Sequence, residues 1–338
     1  MAAGASRSSI RSVLYARLAR GRLRRDEVAI GGSIRYQCTA KYRAWQVCRG
    51  DGKMEGQLRR SPGIDSVVRF YETHPINKQQ ILHDLARDGI ALDGLTEAVL
   101  QDYDQDHFGG LAAVDVLAEK AGIGPGSHVL DVCSGLGGPA RYLAYRHGCR
   151  VTGLDITASR HEGAIRLTRM VGLDHLVDFS LGNALDMPFA DVAFDVVIGQ
   201  EAFAHVPDKP RLIAECARVV KPGGMIAFTD ILRRGALAPE ADERLQREMT
   251  FLSLESLEGY GRLLAENGCT VLERDDLGAW WTEMLVQRLA MYRGLKATTV
   301  AKFGEDHFKQ WDDAYAFFVG LFAAGQLSGG RFVARRDV

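Results

Sequence analysis

The segment DVCSGLGGPAR at 131–141 has the glycine spacing of a turn that brings backbone amides close to a ligand. Asp131 ends the apolar run before it, and Cys133 stands where the dinucleotide-binding pattern G-x-G-x-x-G has its first glycine. A carboxylate at this place would repel a pyrophosphate held at the N-terminus of the next helix. The turn therefore favours a ligand with a positively charged end.

Two more polar residues follow predicted strands, and the carboxyl ends of parallel strands meet at one edge of a sheet. Asp155 in GLDIT is placed to accept hydrogen bonds from both hydroxyls of a ribose. Asn183 in GNA is placed to hydrogen-bond the edge of an adenine. A nucleoside with a cationic amino-acid end could pair with Asp131, Asp155 and Asn183 at once. This combination predicts S-adenosylmethionine as the ligand.

Four stretches, VLDVCSGLGGPARYLA, GLDIT, LGNALDMPFADVAFDVVIGQEAFAHVPD and ARVVKPGGMIAFTD, resemble the class I S-adenosylmethionine-dependent methyltransferases in order and spacing. They cover about 128–231. The resemblance implies S-adenosylmethionine as the methyl donor and S-adenosylhomocysteine as the product, and we predict no metal. It implies contacts to the methionine end from Asp131, Ser134, Gly135 and Gly137, to the ribose and adenine face from Asp155 and Ile156, to the adenine edge from Asn183 and Ala184, and to the sulfonium from Gln200.

The stretches QEAFAHVPDK, LESLEGYGRLLAENG and AAGQLSGGRFVAR resemble the sarcosine and dimethylglycine N-methyltransferases, and more loosely the sterol and tocopherol C-methyltransferases. This resemblance implies a small-molecule acceptor whose amine nitrogen receives the methyl group. The alternative is a thioether carboxylic acid that gives a sulfonium product, and an oxygen or carbon acceptor also fits the same fold. An RNA or protein substrate docked on the basic N-terminal arm is a further class, which the acidic remainder of the chain disfavours.

His205 follows the fourth predicted strand, at the methyl end of the predicted donor site. Methyl transfer is an in-line displacement, so positioning the nucleophile supplies most of the rate enhancement. An ammonium or hydroxyl acceptor must also lose a proton, whereas a thioether need not. His205 is therefore the predicted base or substrate ligand, with capping of the next turn as its alternative role. His107 is the second predicted catalytic histidine.

The segment YDQDHFGG at 103–110 is predicted either to fold over the donor as a lid or to cap the helix that follows. In it, Tyr103 is a predicted substrate contact and Gln105 a predicted cofactor contact. Glu201 is placed to hold a cationic acceptor or to support a helix end. Aromatic residues before the last strand are predicted either to form the acceptor pocket through cation–π contacts or to pack the core. They are Trp280, Trp281 and Tyr292, together with Trp311 and Tyr315.

The elements that must position these residues alternate short apolar strands with amphipathic helices, a pattern typical of crossover units on a parallel sheet. We predict an α/β fold: a Rossmann-like, doubly wound sheet of seven mostly parallel strands, with an N-terminal helical lid and a helical insertion before the last strand. The predicted strands are 128–132, 150–155, 177–181, 194–199, 224–230, 270–275 and 330–336. The predicted parts are a basic, weakly patterned extension (1–65), a helical segment and lid (66–125), and a methyltransferase domain (126–338) with substrate-covering helices at about 281–324.

The chain of 338 residues carries 42 Lys and Arg against 43 Asp and Glu, but residues 1–60 hold 14 of the bases and only 4 of the acids. No stretch approaches the roughly 18 apolar residues of a membrane span, and the six cysteines are scattered without a C-x-x-C pair, which favours reduced thiols. These features predict a cytoplasmic protein, or an organelle-directed one if 1–25 acts as a transit peptide. They predict a small-molecule partner, no nucleic acid and no membrane, and leave a homodimer open.

Overall fold

The computed structural model describes residues 62–72, 74 and 77–338. Most of the predicted extension at 1–65, including the candidate transit peptide at 1–25, lies outside the described residues. Within these residues, four helices precede the sheet, namely α1 (Pro62–Glu72), α2 (Lys78–Arg87), α3 (Glu97–Leu100) and α4 (Gly110–Lys120). The boundary predicted between 65 and 66 falls inside α1 rather than before it.

Seven strands form one sheet with the order β3-β2-β1-β4-β5-β7-β6. They are β1 (His128–Val132), β2 (Arg150–Asp155), β3 (Val177–Leu181), β4 (Phe194–Gln200), β5 (Val220–Arg233), β6 (Cys269–Asp276) and β7 (Leu327–Arg336). The first five are parallel, and β7 lies antiparallel between β5 and β6. The predicted α/β fold with a seven-stranded, mostly parallel sheet is confirmed.

The strand order reverses at β1, because β2 and β3 extend the sheet to one side and β4 and β5 to the other. A crevice for a ligand opens beyond the carboxyl ends of the strands at such a point. Helices connect the strands and cover the sheet. They are α5 (Gly138–His147), α6 (Ala158–Met170), α7 (Lys209–Val219), α8 (Pro239–Met249) and α9 (Leu257–Glu266).

Two apolar clusters hold the central strands in place. One packs Val197 and Phe228 of the sheet against Leu212 of α7. The other packs Val129 of β1 against Leu143 of α5. Because the side chains of β1 and β4 are buried along most of their length, the ends of these strands are fixed supports for a site.

The helical stretch before β7 consists of α10 (Gly278–Gly294), α11 (Lys296–Phe303) and α12 (Glu305–Ala323). A third apolar cluster packs α10 and α12 together and against β5. Helix α8 is not among the predicted elements, because its sequence is polar and Leu245 is its one buried residue. No helix in the described part of the chain is both long and apolar enough to cross a bilayer.

Candidate active site

A cavity of about 660 Å³ lies beyond the carboxyl ends of β1, β2 and β4. Its other walls come from α1, from the segment 102–108 and from α10 to α12. Most of the residues predicted from the sequence line it, namely Tyr103, Gln105, His107, Asp131, Ser134, Gly135, Asp155, Ile156, Asn183, Ala184, Gln200, Glu201, His205 and Tyr292. The fold thus brings together one set of residues from the ends of the four strands β1 to β4 and a second set from the segment 103–107 and from α10.

The glycine-rich turn is built from left-handed backbone conformations. Cys133, Gly135 and Gly137 have φ angles of 60°, 56° and 78°, a region that costs a residue with a Cβ atom roughly 1–2 kcal/mol. Gly137, predicted as a contact to the methionine end, is not among the residues that line the cavity, and a Cβ atom there would lie 2.5 Å from the Phe179 ring and 2.9 Å from Arg141. Its glycine is required by packing behind the turn.

At the strand ends of the cavity, three buried oxygens have no hydrogen-bond partner among the described residues: Asp131 Oδ2, Ser134 Oγ and Gln200 Oε1. Burial, and to a smaller extent the neighbouring carboxylate of Asp155, raise the pKa of Asp131 to about 7. A buried acceptor without a partner is destabilising, and a cationic ligand would relieve it. The methionine end predicted from the sequence therefore has the electrostatic character of a cation site.

Asp155 and Asn183 are held in fixed orientations by the backbone around them. Asp155 accepts from the Gly135 amide at 2.9 Å and from the Thr157 amide at 2.8 Å, one bond to each carboxylate oxygen. The Asn183 side-chain oxygen accepts from the Leu185 amide at 2.9 Å. Carboxylate oxygens can accept further bonds and the Asn183 amide retains its N–H groups, so both residues can still bind a nucleoside.

The segment 103–108 is connected to the strand ends by a chain of polar contacts. Gln105 Nε2 donates to Asp104 at 2.9 Å, and Gln105 Oε1 lies 2.9 Å from His107 Nε2. His107 Nδ1 in turn lies 3.1 Å from Gln200 Nε2. Burial lowers the pKa of His107 to about 4, so this imidazole is neutral at physiological pH and serves in the chain of contacts.

Glu201 joins the same segment to the sheet. Its carboxylate accepts from the Phe108 amide and, at 2.5 Å, from the Thr229 hydroxyl. Burial raises its pKa to about 8, although both hydrogen bonds oppose this shift. Its backbone has a φ of 49°, which turns the chain directly after β4. Glu201 thus fixes Phe108 over the cavity from a strained position.

His205 forms a hydrogen-bonded pair with Tyr71, a residue that the sequence interpretation missed. The Tyr71 hydroxyl lies 2.8 Å from His205 Nε2, and His205 Nδ1 lies 3.0 Å from the carbonyl oxygen of Thr250. A carbonyl can only accept, so Nδ1 carries the hydrogen and Nε2 accepts from Tyr71. Burial lowers the pKa of His205 to about 4 and raises the pKa of Tyr71.

The short turn Phe203–His205 is anchored from beneath by buried polar groups. Asp230 accepts from the Ala204 amide at 3.0 Å and from the Tyr260 hydroxyl at 2.7 Å. Lys209 donates to the carbonyl oxygens of Val206 and Ser253 at 2.5 Å and 2.7 Å. The backbone that carries His205 therefore has a fixed position at the cavity wall.

The spacing of Tyr71 from the apolar residues before it could have placed it on the buried face of a helix. Ile64, Val67, Val68 and Tyr71 recur at the intervals of one helix face, and the structure places all four on α1, with Val67 and Tyr71 on the cavity wall. Its pairing with His205 has no such signal, because 134 residues separate the two.

The structure brings some of the aromatic residues predicted for the acceptor pocket to the cavity and leaves others away from it. Trp281 is buried among Phe108, Phe322 and Gly329, in the third core cluster. Trp280 is 46% exposed and neither tryptophan lines the cavity, so the structure does not bring them together with the other predicted site residues. Tyr292, Trp311 and Tyr315 do line the cavity from α10 and α12, and Phe318 of α12 lines it as well.

Tyr103 lines the cavity, but its hydroxyl already donates to Asp88 at 3.0 Å. Within residues 62–72, 74 and 77–338, no group of three or more His, Cys, Asp or Glu side chains is arranged to hold a metal ion. The absence of a metal stays a prediction.

Residues 130–228 match the family model described as a methyltransferase domain. The chain contains a methyltransferase domain. The matched range includes the glycine-rich turn, and Asp131, Ser134, Gly135, Asp155, Asn183, Gln200 and His205 within the range all line the cavity.

Known relatives extend the likeness beyond this domain. The glycine/sarcosine/dimethylglycine N-methyltransferase of Actinopolyspora halophila is 37% identical over 172 residues, which are 49% of this chain and 30% of that protein. The (+)-O-methylkolavelool synthase of Herpetosiphon aurantiacus is 29% identical over 219 residues, 65% of this chain and 75% of that protein. The chain thus spans less than a third of the length of the first relative.

The solved structure of phosphoethanolamine N-methyltransferase 2 from Haemonchus contortus, in complex with phosphomonomethylethanolamine and S-adenosylhomocysteine, matches with a TM-score of 0.65 and 20% identity. The match covers 80% of this chain and 60% of that one. The methyltransferase domain and its flanking helices therefore have the class I methyltransferase fold.

Proposed function

We propose that this chain transfers a methyl group from S-adenosylmethionine to a small-molecule acceptor. The observation that carries the proposal is the set of three unpartnered buried oxygens, on Asp131, Ser134 and Gln200, in one cavity at the switch point of the sheet. Each requires a donor or a positive charge. The ammonium and sulfonium groups of S-adenosylmethionine have that character.

When bound, S-adenosylmethionine supplies an electrophilic methyl group on a sulfonium. Asp131 and Ser134 would bind the ammonium, Asp155 the ribose hydroxyls and Asn183 the adenine edge, while Gln200 would face the sulfonium. Ile156 and Ala184 would contact the nucleoside through apolar surface. The complex of the Haemonchus contortus enzyme with S-adenosylhomocysteine supports this assignment through the shared fold.

The pair of Tyr71 and His205 gives the cavity a route for a proton. The Tyr71 oxygen would accept a proton from the acceptor while its own hydrogen passes to His205 Nε2, over the 2.8 Å that separates them. The Thr250 carbonyl oxygen, 3.0 Å from Nδ1, would stabilise the imidazolium that results. His205 thereby acts as the base, with Tyr71 between it and the substrate.

An amine nitrogen of the sarcosine and dimethylglycine type is the acceptor that the name of the Actinopolyspora halophila relative supports. A hydroxyl is the second candidate, because the Tyr71–His205 pair serves an O–H as well as an N–H, and the Herpetosiphon aurantiacus relative is named for an O-methylated product. A thioether acceptor receives less support, because it would leave this pair without a proton to move.

The direct test is methyl transfer from labelled S-adenosylmethionine to a panel of amines, alcohols and thioethers. Gln200→Leu is expected to lower kcat/KM for the donor at least tenfold, since it removes the oxygen that faces the sulfonium. Gln79→Leu, on the exposed side of α2, is the matched control and is expected to behave as wild type. The proposal is overturned if S-adenosylmethionine does not bind the wild-type protein, or binds without methyl transfer to any acceptor class.

A further inference from the structure

The second half of the cavity, which we call the acceptor wall, consists of the lining residues from α1, from α8 with the residue after its C-cap, and from α10 to α12. Its apolar members include Val67, Phe70, Phe251, Met291, Leu295 and Trp311. Among the lining residues of these described elements, Arg288 is the one with a fixed charge. The wall is suited to contact with hydrocarbon, which is stabilising in proportion to the apolar area removed from water.

Aromatic faces next to the reacting end already have cations over them. The guanidinium of Arg160 lies 4.3 Å from the centroid of the Tyr71 ring, and that of Arg288 lies 5.1 Å from the centroid of Phe108. Arg288 also hydrogen-bonds the phenol of Tyr315. A further ammonium group would compete with these two guanidinium groups for the same faces and would be repelled by them. The wall therefore disfavours a cationic acceptor.

One polar atom of the acceptor wall is buried without a partner, the hydroxyl of Tyr292. Its ring is stacked on Phe308 at 5.1 Å with an interplanar angle of 10°, which fixes the direction of the hydroxyl. This hydroxyl offers a ligand a neutral hydrogen bond and no charge. A zwitterionic amino acid would instead bring two charges, and buried charges need partners of their own.

We propose that the acceptor is an alcohol with a long hydrocarbon body rather than a zwitterionic amino acid. This rests on the proposed methyl transfer and names the substrate class of the same site. The acceptor hydroxyl lies at Tyr71 with its hydrocarbon body along the acceptor wall. Its proton passes to Tyr71 as the Tyr71 hydrogen passes to His205. The O–CH₃ bond forms as the S–CH₃ bond breaks, and that electron pair stays on sulfur, so the products are a methyl ether and S-adenosylhomocysteine.

The test uses the full chain with farnesol and sarcosine as probes. Binding of farnesol is followed by tryptophan fluorescence in the presence of S-adenosylhomocysteine, and methyl transfer to each probe is followed with labelled S-adenosylmethionine. Met291→Lys puts a charge on the acceptor wall. Val286→Lys puts the same charge on the exposed face of the same helix. We expect Met291→Lys to weaken farnesol binding at least tenfold and Val286→Lys to change it less than twofold.

Binding of S-adenosylhomocysteine to both variants reports whether they are folded, and it is expected to stay within twofold of wild type. The proposal is overturned if farnesol shows no saturable binding, if the two lysine variants affect it equally, or if sarcosine is methylated with a higher kcat/KM than farnesol. The last result would leave the proposed methyl transfer standing and refute only the substrate class. Failure of the wild-type protein to bind S-adenosylhomocysteine would instead refute the proposed function.

Discussion

Binding of the donor should depend on pH through Asp131. Burial raises the pKa of this carboxyl from 3.8 to about 7 in the ligand-free protein. The ammonium of the ligand pairs with the ionised form, so ligand binding lowers this pKa and is coupled to proton release below pH 7. The affinity for the donor is therefore highest above about pH 7 and falls as the pH drops through that value.

The magnitude follows from the fraction of ionised Asp131. With a pKa of about 7, that fraction falls from about nine-tenths at pH 8 to about one-tenth at pH 6, so the Kd of S-adenosylhomocysteine should rise about tenfold. Asp131→Asn should remove this dependence. It should also weaken binding at pH 8 by about 1–1.5 kcal/mol, the difference between a hydrogen bond to a charged group and a neutral one.

Isothermal titration calorimetry at pH 6, 7 and 8, in two buffers of different ionisation enthalpy, measures both the affinity and the proton released. Asp174→Asn, an exposed residue after α6, is the matched control and should keep the wild-type slope. A wild-type Kd that changes less than twofold from pH 6 to pH 8 would refute the reasoning, as would an Asp131→Asn variant with an unchanged slope.

Three other predictions concern the remaining parts of the site. With a protic acceptor, Tyr71→Phe and His205→Ala should each lower kcat at least tenfold, and the double variant should be little slower than either single variant. Tyr145→Phe, on the exposed face of α5, is the control and should keep the wild-type kcat. A Tyr71→Phe variant with wild-type kcat would remove the pair from the mechanism. Cys133→Gly should leave the Kd of S-adenosylhomocysteine within about twofold of wild type, because Cys133 already has a φ of 60° in the ligand-free protein and relief of its cost of about 1 kcal/mol acts on the free and the bound protein alike; calorimetry showing a change of about tenfold or more would contradict this. Arg141→Met should lower the free energy of unfolding measured in urea by about 3–5 kcal/mol, since it leaves the buried Asp104 carboxylate uncompensated, and a loss below about 1 kcal/mol would contradict the pairing of Arg141 with Asp104.

The parallel half of the sheet could be predicted closely from the sequence. The bounds of β1, β2 and β3 agree with the predicted strands, because each strand is a short apolar run ended by glycine or polar residues. Strand β5 begins at Val220, four residues before the predicted start at 224, since KPGG in the middle reads as a turn. Helix α8 is held mainly by Leu245, so its sequence offers little apolar periodicity to detect.

The two ends of the site differ in predictability for a physical reason. The donor end is built from residues at strand ends, where local sequence fixes both the element and the direction of the side chain. The acceptor end depends on how helices pack on one another, which spacing alone does not specify. Trp281 and Trp311 illustrate this: both are aromatic residues of the same helical stretch, yet one is 1% exposed in the core and the other lines the cavity.

Helix α5 ties the two sides of the donor site together. It begins at Gly138, where a Cβ atom would lie 2.4 Å from the carbonyl oxygen of Asp104, so the lid segment packs directly on the start of the helix. One turn later, Arg141 Nη2 lies 2.6 Å from the Asp104 carboxylate, and both side chains are fully buried.

Burial raises the pKa of Glu97 to about 9, and the charge of Asp104 adds to this shift. Because Glu97 therefore stays protonated, the positive charge of Arg141 faces one negative charge, that of Asp104. Asp104 in turn accepts from Gln105, which begins the chain of contacts through His107 to Gln200. The turn beneath the donor and the lid above it are therefore positioned by the same buried guanidinium. A change at 104 or 141 should alter donor affinity although Arg141 itself does not line the cavity.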